Sequence, residues 1–440
     1  MDKFISTIKN IFSIEELINR ILNTLLFITI FRLGSLIVLP GVDSEKLGKG
    51  GNGILELLNL FSGGAFNQAS IMALAIMPYI SASIAIQLLT IALPYFQKMQ
   101  KEGESGRKRL NQITRVLTIL VTAAQAFTYV QVTIISQGAL LPNIDPVSFR
   151  LYSVIILVAG TMFCMWLGEK ITDKGIGNGI SMLIMIGIVA RFPAALLGES
   201  QSRGLSGGLL FVIEIVALFA VVMGAVAITQ AVRRIPIQYA KQVVGNKVGG
   251  GQRQYLPLKL NMAGVMPIIF AQALMFLPSL IAGQFAEKST TAQSIATSFA
   301  DFTSWPYNLL DGFLIIIFTF FYTAISVNPQ QISDDMKRGG GFIPGVKPGD
   351  STTTYIANVI DRITLPGAIL LACVAILPAV ASLFGIQRAF ASFFGGTSLL
   401  ILVGVVLDTL QQIESYLLMR RYEGLMQSGR VKGRTEVVAQ

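Results

Sequence analysis

The sequence predicts an all-α, polytopic membrane protein. Hydrophobic residues make up 53% of the chain and charged residues only 13%, a balance far from that of a soluble domain. A helix that crosses a bilayer needs about 20 predominantly apolar residues, and the chain contains about ten runs close to that length. These runs lie near residues 20–39, 71–93, 113–136, 151–168, 178–197, 209–229, 264–283, 308–327, 365–384 and 398–418.

Lysine and arginine are distributed unevenly over the gaps between these runs. Alternate gaps and both chain ends hold most of them, and the remaining gaps hold few. Because Lys and Arg resist translocation, the side that holds most of the Lys and Arg residues is expected to face the cytoplasm. Both termini are expected to lie on that side. The net charge of +10 is therefore first a signal of membrane topology. The poor gaps contain only Lys46, Lys49, Arg150, Arg203, Lys288 and Arg388.

Several residue types and motifs that enzymes need are missing. The chain has no histidine, which excludes the usual zinc metalloprotease motifs and Ser-His catalysis. No phosphate-binding loop occurs, and the glycine-rich run Gly175–Gly179 follows no strand, so it indicates a flexible helix entry rather than a dinucleotide site. Cys164 and Cys373 lie inside apolar runs and predict neither a disulfide nor a metal site. We therefore expect no enzyme activity, cofactor or metal.

The ten runs divide into five and five around the gap at 198–208. An odd number of spans per half means that two similar halves are inverted relative to each other. The hexapeptides Ala75–Ile80 and Gly264–Ile269 support such a repeat, because each places a Met-Pro pair in the second span of its half. We expect these prolines to kink their helices. The predicted halves are residues 1–197 and 209–418.

Residues 54–70 form a short apolar segment on the predicted outer side. Leucines and a phenylalanine at helical spacing precede Gly63-Gly64, and the segment is too short to span a bilayer. It is either an interfacial helix on the outer leaflet or a half-helix folded back between the spans, which requires burial in protein or contact with a cavity. The residues alone leave both alternatives open.

Two long basic loops and a basic tail lie on the predicted cytoplasmic side. Residues 230–260 alternate in polarity on both sides of a glycine-rich tip, which predicts a β-hairpin. Residues 328–364 are rich in Gly and Pro and predict turns. The two loops suggest a docking surface for an acidic or RNA-bearing partner or for anionic lipid, and residues 419–440 form a cytoplasmic tail.

Seven segments of the chain, in the same order, resemble the bacterial SecY family, whose members are channel subunits of the Sec protein translocon. The resemblance runs nearly from end to end, and several motifs are long enough to be specific. The segments are LFSGGA (60–65), IMPYISASIAIQLL (76–89), KEGESGRKR (101–109), GTMFCMWLGEKITDKGIGNGIS (160–181), LPLKLNMAGVMPIIFA (256–271), GGGFIPGVKPG (339–349) and FGGTSLLILV (394–403).

The resemblance implies a clam-shell of two inverted halves around an hourglass pore, closed by an external plug and opening to lipid through a lateral gate. The plug is expected at about 54–68, and the gate between the second and third spans and the seventh and eighth. The implied site residues are the pore ring Ile76, Ile80, Ile180, Ile184, Ile269 and Ile401, the gate cluster Ser81, Gln125 and Asn261, and the plug residues Leu57, Leu60, Phe61, Ser62, Gly63 and Gly64.

The resemblance also implies docking residues and partners. Arg233 and Arg234 match a basic pair at the family's motor and ribosome docking site. The usual arginine of the family's G-[IV]-R-P-G motif is replaced here by Lys347, which keeps the charge but lacks the planar two-pronged guanidinium. The implied partners are the SecA ATPase, the ribosome, the membrane subunits SecE and SecG, signal sequences and lipid.

These features predict a passive protein-conducting channel of the bacterial inner membrane, driven by SecA with ATP, a translating ribosome or the proton motive force. The alternative is a secondary transporter of a small solute, since inverted five-helix halves occur there too. Such a transporter needs ionisable residues near the membrane midplane. The candidates for that role are Arg32, Glu214 and Asp408.

Overall fold

A computed structural model of the chain describes residues 14–44, 46–47, 62–142, 144–204, 207–239, 242–244, 247–249, 253–272, 274–275, 294, 298–299, 301 and 303–427. In chain order the elements are α1 (Glu15–Leu36), α2 (Met77–Ala92), α3 (Pro94–Lys101), α4 (Glu104–Tyr129, continued by a π-helix, Val130–Ile135), α5 (Pro146–Lys174), α6 (Gly179–Arg203), α7 (Gly208–Gln230), β1 (Val232–Tyr239), β2 (Gln242–Val244), β3 (Lys247–Gly249), β4 (Arg253–Lys259), α8 (Trp305–Ser326), α9 (Pro329–Arg338), β5 (Gly341–Phe342), α10 (Asp350–Leu383), α11 (Arg388–Ala391) and α12 (Gly396–Gln427).

The predicted polytopic all-α architecture is confirmed. Eight helices among the described residues are long and apolar enough to cross a membrane, and a ninth span results if α2 and α3 are counted together across a 97° bend. Of the seventh predicted span, 264–283, only the first part is described, and it is helical over residues 266–272. Exposed apolar side chains cover α7, including Leu209 and Phe219, as expected for a helix surrounded by lipid.

The chain divides into two compact units, of which the first takes in the described residues within Met1–Gly51, Leu55–Arg191 and Val405–Gln440. The helices α1 to α5 and the beginning of α6 build most of it. One core cluster brings together α1, α5, α6 and the start of α2. A second core cluster surrounds Phe66 and Tyr129, whose ring centroids lie 4.6 Å apart. The buried residues of the first cluster are Phe31, Met72, Ile76, Cys164, Leu167, Ile171 and Leu183.

The second unit takes in the described residues within Phe192–Gly404. Its spanning helices include α7, α8 and α10, and its sheet has the order β4-β1-β5. The strands β1 and β4 are antiparallel from Val232 opposite Lys259 to Gln238 opposite Arg253, which confirms the predicted β-hairpin. Ile235 and Ile237 on one face of β1 pack against α9 and α10, so the sheet is fixed to the unit by apolar contacts.

The expectation that the two Met-Pro pairs kink their helices is wrong. Pro78 lies in the first turn of α2, and Pro267 is the second residue of the helical segment 266–272. A proline is tolerated there because the first N–H groups of a helix have no intrahelical partner. The residue two positions before each methionine adopts a positive φ, 44° at Ala75 and 65° at Gly264. Both pairs therefore begin a helix after the same kind of turn.

The loop predicted as turn-rich, 328–364, contains more helix than expected. Turns occupy residues 339–340 and 343–349, but α9 and the first turns of α10 form the rest. The Asn328 side chain caps α9 by accepting hydrogen bonds from the N–H groups of Gln330 and Gln331. An asparagine followed by a proline is a helix-start signal, and the Gly and Pro content of the loop obscured it.

Candidate functional site

Three of the four predicted ring isoleucines of the first unit meet at one core cluster. Ile76 is 3% exposed and belongs to the cluster, while Ile80 and Ile180 pack against it from α2 and α6. Ile184 lies one turn after Ile180 and is buried. Gly168 of α5 permits a close approach, because a Cβ added there would lie 3.1 Å from Ile180 Cγ1. The first unit thus brings three of its four predicted ring residues to one apolar cluster.

The two predicted ring residues of the second unit lie on elements that pack closely. Ile401 of α12 is 2% exposed, and Ile269 is half-buried in the helical segment 266–272. A Cβ added to Gly404 would lie 2.7 Å from Cγ2 of Val265, the residue just before this segment, so α12 approaches the start of the segment closely. Ile401 and Ile269 each lie about one helical turn from the contact.

The three predicted gate residues have different surroundings. Ser81 Oγ donates a hydrogen bond to the Met77 carbonyl of its own helix, at 3.2 Å. Gln125 is half-buried on α4. Asn261 is 8% exposed, and its Nδ2 donates to the Gly264 carbonyl at 2.9 Å. Its buried Oδ1 accepts no hydrogen bond from the described part of the chain.

The glycine pair of the predicted plug lies against two other segments of the first unit. Gly63 and Gly64 both have positive φ, 64° and 95°. The Arg32 guanidinium donates from Nη1 to the Gly63 carbonyl at 3.2 Å. A Cβ on Gly63 would lie 2.8 Å from Gly187 Cα of α6, which excludes a larger residue without rearrangement. Ser62 is buried, and the predicted plug residues Leu57, Leu60 and Phe61 lie outside the described residues.

The predicted docking residues are exposed on the second unit. Arg233 and Arg234 project from β1, opposite Leu258 and Pro257 of β4. Lys347 is exposed in the turn between β5 and α10, and its carbonyl accepts a hydrogen bond from the Thr352 hydroxyl at 2.8 Å. None of the three side chains forms a salt bridge with any residue that the structure describes.

The ionisable residues that a transporter would need are committed elsewhere or exposed. Glu214 forms a 2.6 Å salt bridge with Arg203, and Arg203 also contacts Glu199 at 2.9 Å. Glu199 is fully buried and accepts a second hydrogen bond from the backbone N–H of Gln387. Asp408 is exposed on α12. Among the described residues, no three His, Cys, Asp or Glu side chains lie together as metal ligands.

The contacts of Arg32 and Arg203 were not predicted from the sequence. Both join segments far apart in the chain: Arg32 contacts Gly63, and Arg203 donates to the Gly385 carbonyl at 3.0 Å as well as to Glu214. The available signal was a basic residue near the end of an apolar run, where it requires a partner or access to water. That signal does not identify the partner.

Comparisons with known proteins identify the same family over most of the chain. A sequence model of the SecY family matches residues 70–410. The protein translocase subunit SecY of Streptomyces coelicolor is 42% identical over 434 residues, which cover 94% of this chain and 98% of that protein.

Solved structures agree in fold. A structure described as a protein-conducting channel superposes with a TM-score of 0.65 at 15% identity, covering 90% of this chain and 92% of the other. Sec61 in a canine ribosome–channel complex from the endoplasmic reticulum gives a TM-score of 0.61 at 14% identity, with the same coverage of both chains. At this low identity the two structures show the fold alone, whereas the 42% identity to the Streptomyces protein extends over 94% of this chain. The chain therefore belongs to the SecY family.

Proposed function

We propose that this chain is the channel-forming subunit of a protein translocase, which passes unfolded secretory polypeptides across the membrane and releases transmembrane segments sideways into lipid. The observation that carries the proposal is the near full-length similarity to a relative named protein translocase subunit SecY. The chain itself supplies no nucleotide site in its sequence motifs, so the energy comes from partners and catalysis is not part of its role.

The six isoleucines form the constriction of this channel. Branched aliphatic side chains disfavour hydrated ions, yet they yield to a passing polypeptide. The shared cluster of Ile76, Ile80 and Ile180 supports this assignment for the first unit. The tight contact of Gly404 with Val265 supports it for Ile269 and Ile401.

Ser81, Gln125 and Asn261 are the polar residues of the lateral gate. Polar contacts between helices in a bilayer are worth about 0.6 kcal/mol each on average, so such a gate opens readily. The unsatisfied Oδ1 of Asn261 supports a partner for this residue in at least one state of the gate. An arriving segment of about 20 apolar residues gains several kcal/mol by entering hydrocarbon, whereas a polar segment does not.

Two inverted halves, residues 1–197 and 209–418, build the channel. The two Met-Pro helix starts support the repeat, because Ala75 and Gly264 occupy equivalent positions and share a left-handed conformation. The matching backbone is a stronger argument than the hexapeptide similarity alone. The tail at 419–440 and the loops at 230–260 and 328–364 lie on the cytoplasmic side, and the chain resides in the inner membrane with both termini inside, as the positive charges indicate.

Arg233, Arg234 and Lys347 bind the cytoplasmic partners, namely SecA or the ribosome. Their exposure and their lack of salt-bridge partners among the described residues support this role, since such charges remain available to acidic protein surfaces or to RNA phosphates. Lys347 makes a point-charge contact rather than the forked contact of an arginine. SecE and SecG accompany the chain in the membrane.

Site-specific photocrosslinking tests the channel. A photoreactive residue at Ile80 or Ile269 is expected to crosslink to a secretory precursor arrested during transfer, in membranes containing SecA and SecE, and only with ATP. The control position is Val216 of α7, which is 62% exposed on an apolar helix surface and should meet lipid. Failure at both isoleucines with a verifiably engaged precursor would contradict the proposal and reopen the transporter alternative.

A further inference from the structure

Arg32 lies inside an apolar spanning helix and contacts a segment far from it in the chain. It is four residues from the end of α1, between the buried Phe31 and the exposed Leu33. Its Nη1 donates to the Gly63 carbonyl at 3.2 Å. The guanidinium thus reaches the described end of the predicted plug.

The hydrogen bond between Arg32 and Gly63 can break at low cost. A charged side chain within a membrane span is costly unless it is paired or reaches water. Arg32 forms no salt bridge within the residues that the structure describes, and its partner is a neutral backbone carbonyl. Near the end of its helix, the long side chain can extend to the membrane surface once the contact breaks. Release therefore leaves no buried carboxylate behind, as it would in a buried ion pair.

The segment around Gly63 is a glycine turn that is anchored in the core of the first unit. From Ala65 onward it is anchored in the core, where the Tyr129 hydroxyl donates to the Phe66 carbonyl at 2.6 Å. Gly63 and Gly64, both with positive φ, come immediately before this anchor. The buried Ser62 lies before the pair, and its hydroxyl accepts a hydrogen bond from the Phe66 N–H at 3.1 Å. Glycine adopts the left-handed conformations that such a closed turn requires, so the turn presents the Gly63 carbonyl to Arg32.

Gly63 also lies directly beside the helix that carries two predicted ring residues. A Cβ added to it would lie 2.8 Å from Gly187 Cα and 2.7 Å from Arg32 Nη1. Gly187 follows Ile184 by one turn of α6 and Ile180 by two. Gly187 and Arg32 therefore hold Gly63 against α6, one helical turn beyond the predicted ring residue Ile184.

We propose that Arg32 is a positioning residue that latches the Gly63 end of the plug onto α6 in the resting channel, and that channel opening breaks this hydrogen bond. The proposal rests on the proposed channel function and adds to it the residue that holds the closed state. Arg32 acts on the plug backbone, so the latch does not depend on the plug's side chains.

The test measures the resting seal separately from transport. The complete translocase complex is reconstituted in vesicles, and potassium efflux is recorded without precursor. Arg32→Gln should raise this leak several-fold, and it should let a precursor with a weakened signal sequence pass. Transport of an intact precursor should stay close to that of the unchanged complex. Arg32→Lys keeps the charge and a donor, and is expected to restore most of the seal.

Matched variants separate latching from folding. Gly63→Ala introduces a methyl group against Gly187 and should also leak. Gly64→Ala is also strained, since φ is 95° there, but its methyl group meets no atom within 4 Å, so its leak should be smaller. Arg115→Gln removes an exposed salt bridge to Glu169 in the same unit and should not leak.

Leaks equal to that of the unchanged complex in both Arg32→Gln and Gly63→Ala, within complexes that transport precursor, would overturn the latch. A leak in Arg32→Gln that Arg32→Lys fails to reduce, accompanied by a lower unfolding temperature in both, would also overturn it in favour of a merely structural role. Failure of the unchanged complex to transport any precursor would instead contradict the proposed function, which the leak comparison does not address.

Discussion

Two arginines near the C-terminal ends of spanning helices, one in each unit, are held in different ways. Arg203, the last residue of α6, contacts two carboxylates, Glu199 at 2.9 Å and Glu214 at 2.6 Å. Arg32 of α1 donates to one backbone carbonyl, that of Gly63, at 3.2 Å. The helix dipole favours a cation at both positions, so the two arginines differ in the groups that accept their hydrogen bonds.

The difference suits a permanent contact at Arg203 and, as we propose, a reversible one at Arg32. Removing Arg203 leaves Glu199, which is fully buried, without a compensating charge. Removing Arg32 leaves a carbonyl that a water molecule or a neighbouring donor can satisfy. The pairing of Arg203 suits a joint that stays closed between α6, α7 and the loop before α11, whereas that of Arg32 suits a contact that opens and closes.

The largest effect is expected for Arg203→Leu. The variant should lose about 3–5 kcal/mol of unfolding free energy, because a buried carboxylate is left unpaired. Chemical denaturation of the purified protein in detergent micelles measures the loss. A loss below about 1 kcal/mol, the range of an exposed pair, would show that Glu199 finds another partner and that the cluster is not a fixed joint.

A smaller effect is expected for Arg32→Leu. One hydrogen bond to a charged group disappears, worth about 1.5–3 kcal/mol, but the cost of holding a charge in the apolar span disappears with it. We expect a net loss of about 1 kcal/mol in the same denaturation experiment. A loss as large as that of Arg203→Leu would remove the contrast between the two arginines and would identify Arg32 as a fixed structural residue.

The smallest effect is expected for Arg388→Leu, which breaks an exposed pair with Asp301 at 3.2 Å. Exposed pairs contribute about 0–1 kcal/mol. Partial burial raises the pKa of Asp301, but hydrogen bonds from Thr303 and the Arg388 guanidinium outweigh it, and the net pKa is lowered.

The lowered pKa of Asp301 sets the pH dependence of that pair. The contribution of the Asp301–Arg388 pair to the free energy of unfolding is complete above the ordinary aspartate pKa of about 3.9. It is lost as the pH falls through the lowered pKa that Asp301 has in the folded state. The stability difference between Arg388→Leu and the unchanged protein should therefore vanish in acid. A difference that grows in acid would contradict the assignment of Asp301 as the partner that matters.

Local patterns in the sequence were sufficient for the spans and the hairpin. Apolar runs of spanning length predicted the helices, and the alternation at Ile235 and Ile237 predicted β1, because both signals arise within one element. The helix α9 was obscured because glycines and prolines around it outweighed one capping asparagine. The Met-Pro pairs were placed inside helices because sequence spacing does not reveal the positive φ of Ala75.

The candidate site was predictable only in part, for a related reason. Family motifs identified Ile76, Ile80 and Ile180, and the structure places them at one cluster. The Gly63 partner of Arg32 and the Gly385 partner of Arg203 lie on segments more than 30 and 180 residues away, which no local pattern encodes, whereas Glu199 lies one helical turn before Arg203 and is a local pair. A basic residue near a span end predicts that a partner exists, and the three-dimensional structure is needed to name it.

The buried thiol of Cys164 gives the first unit a native reporter. Cys164 has no exposed surface and packs in the cluster that contains Ile76. A small membrane-permeable alkylating reagent can reach its Sγ only when that cluster loosens. The rate at which Cys164 is labelled, compared with the exposed Cys373 of α10, therefore measures how often the apolar cluster opens, without any engineered probe.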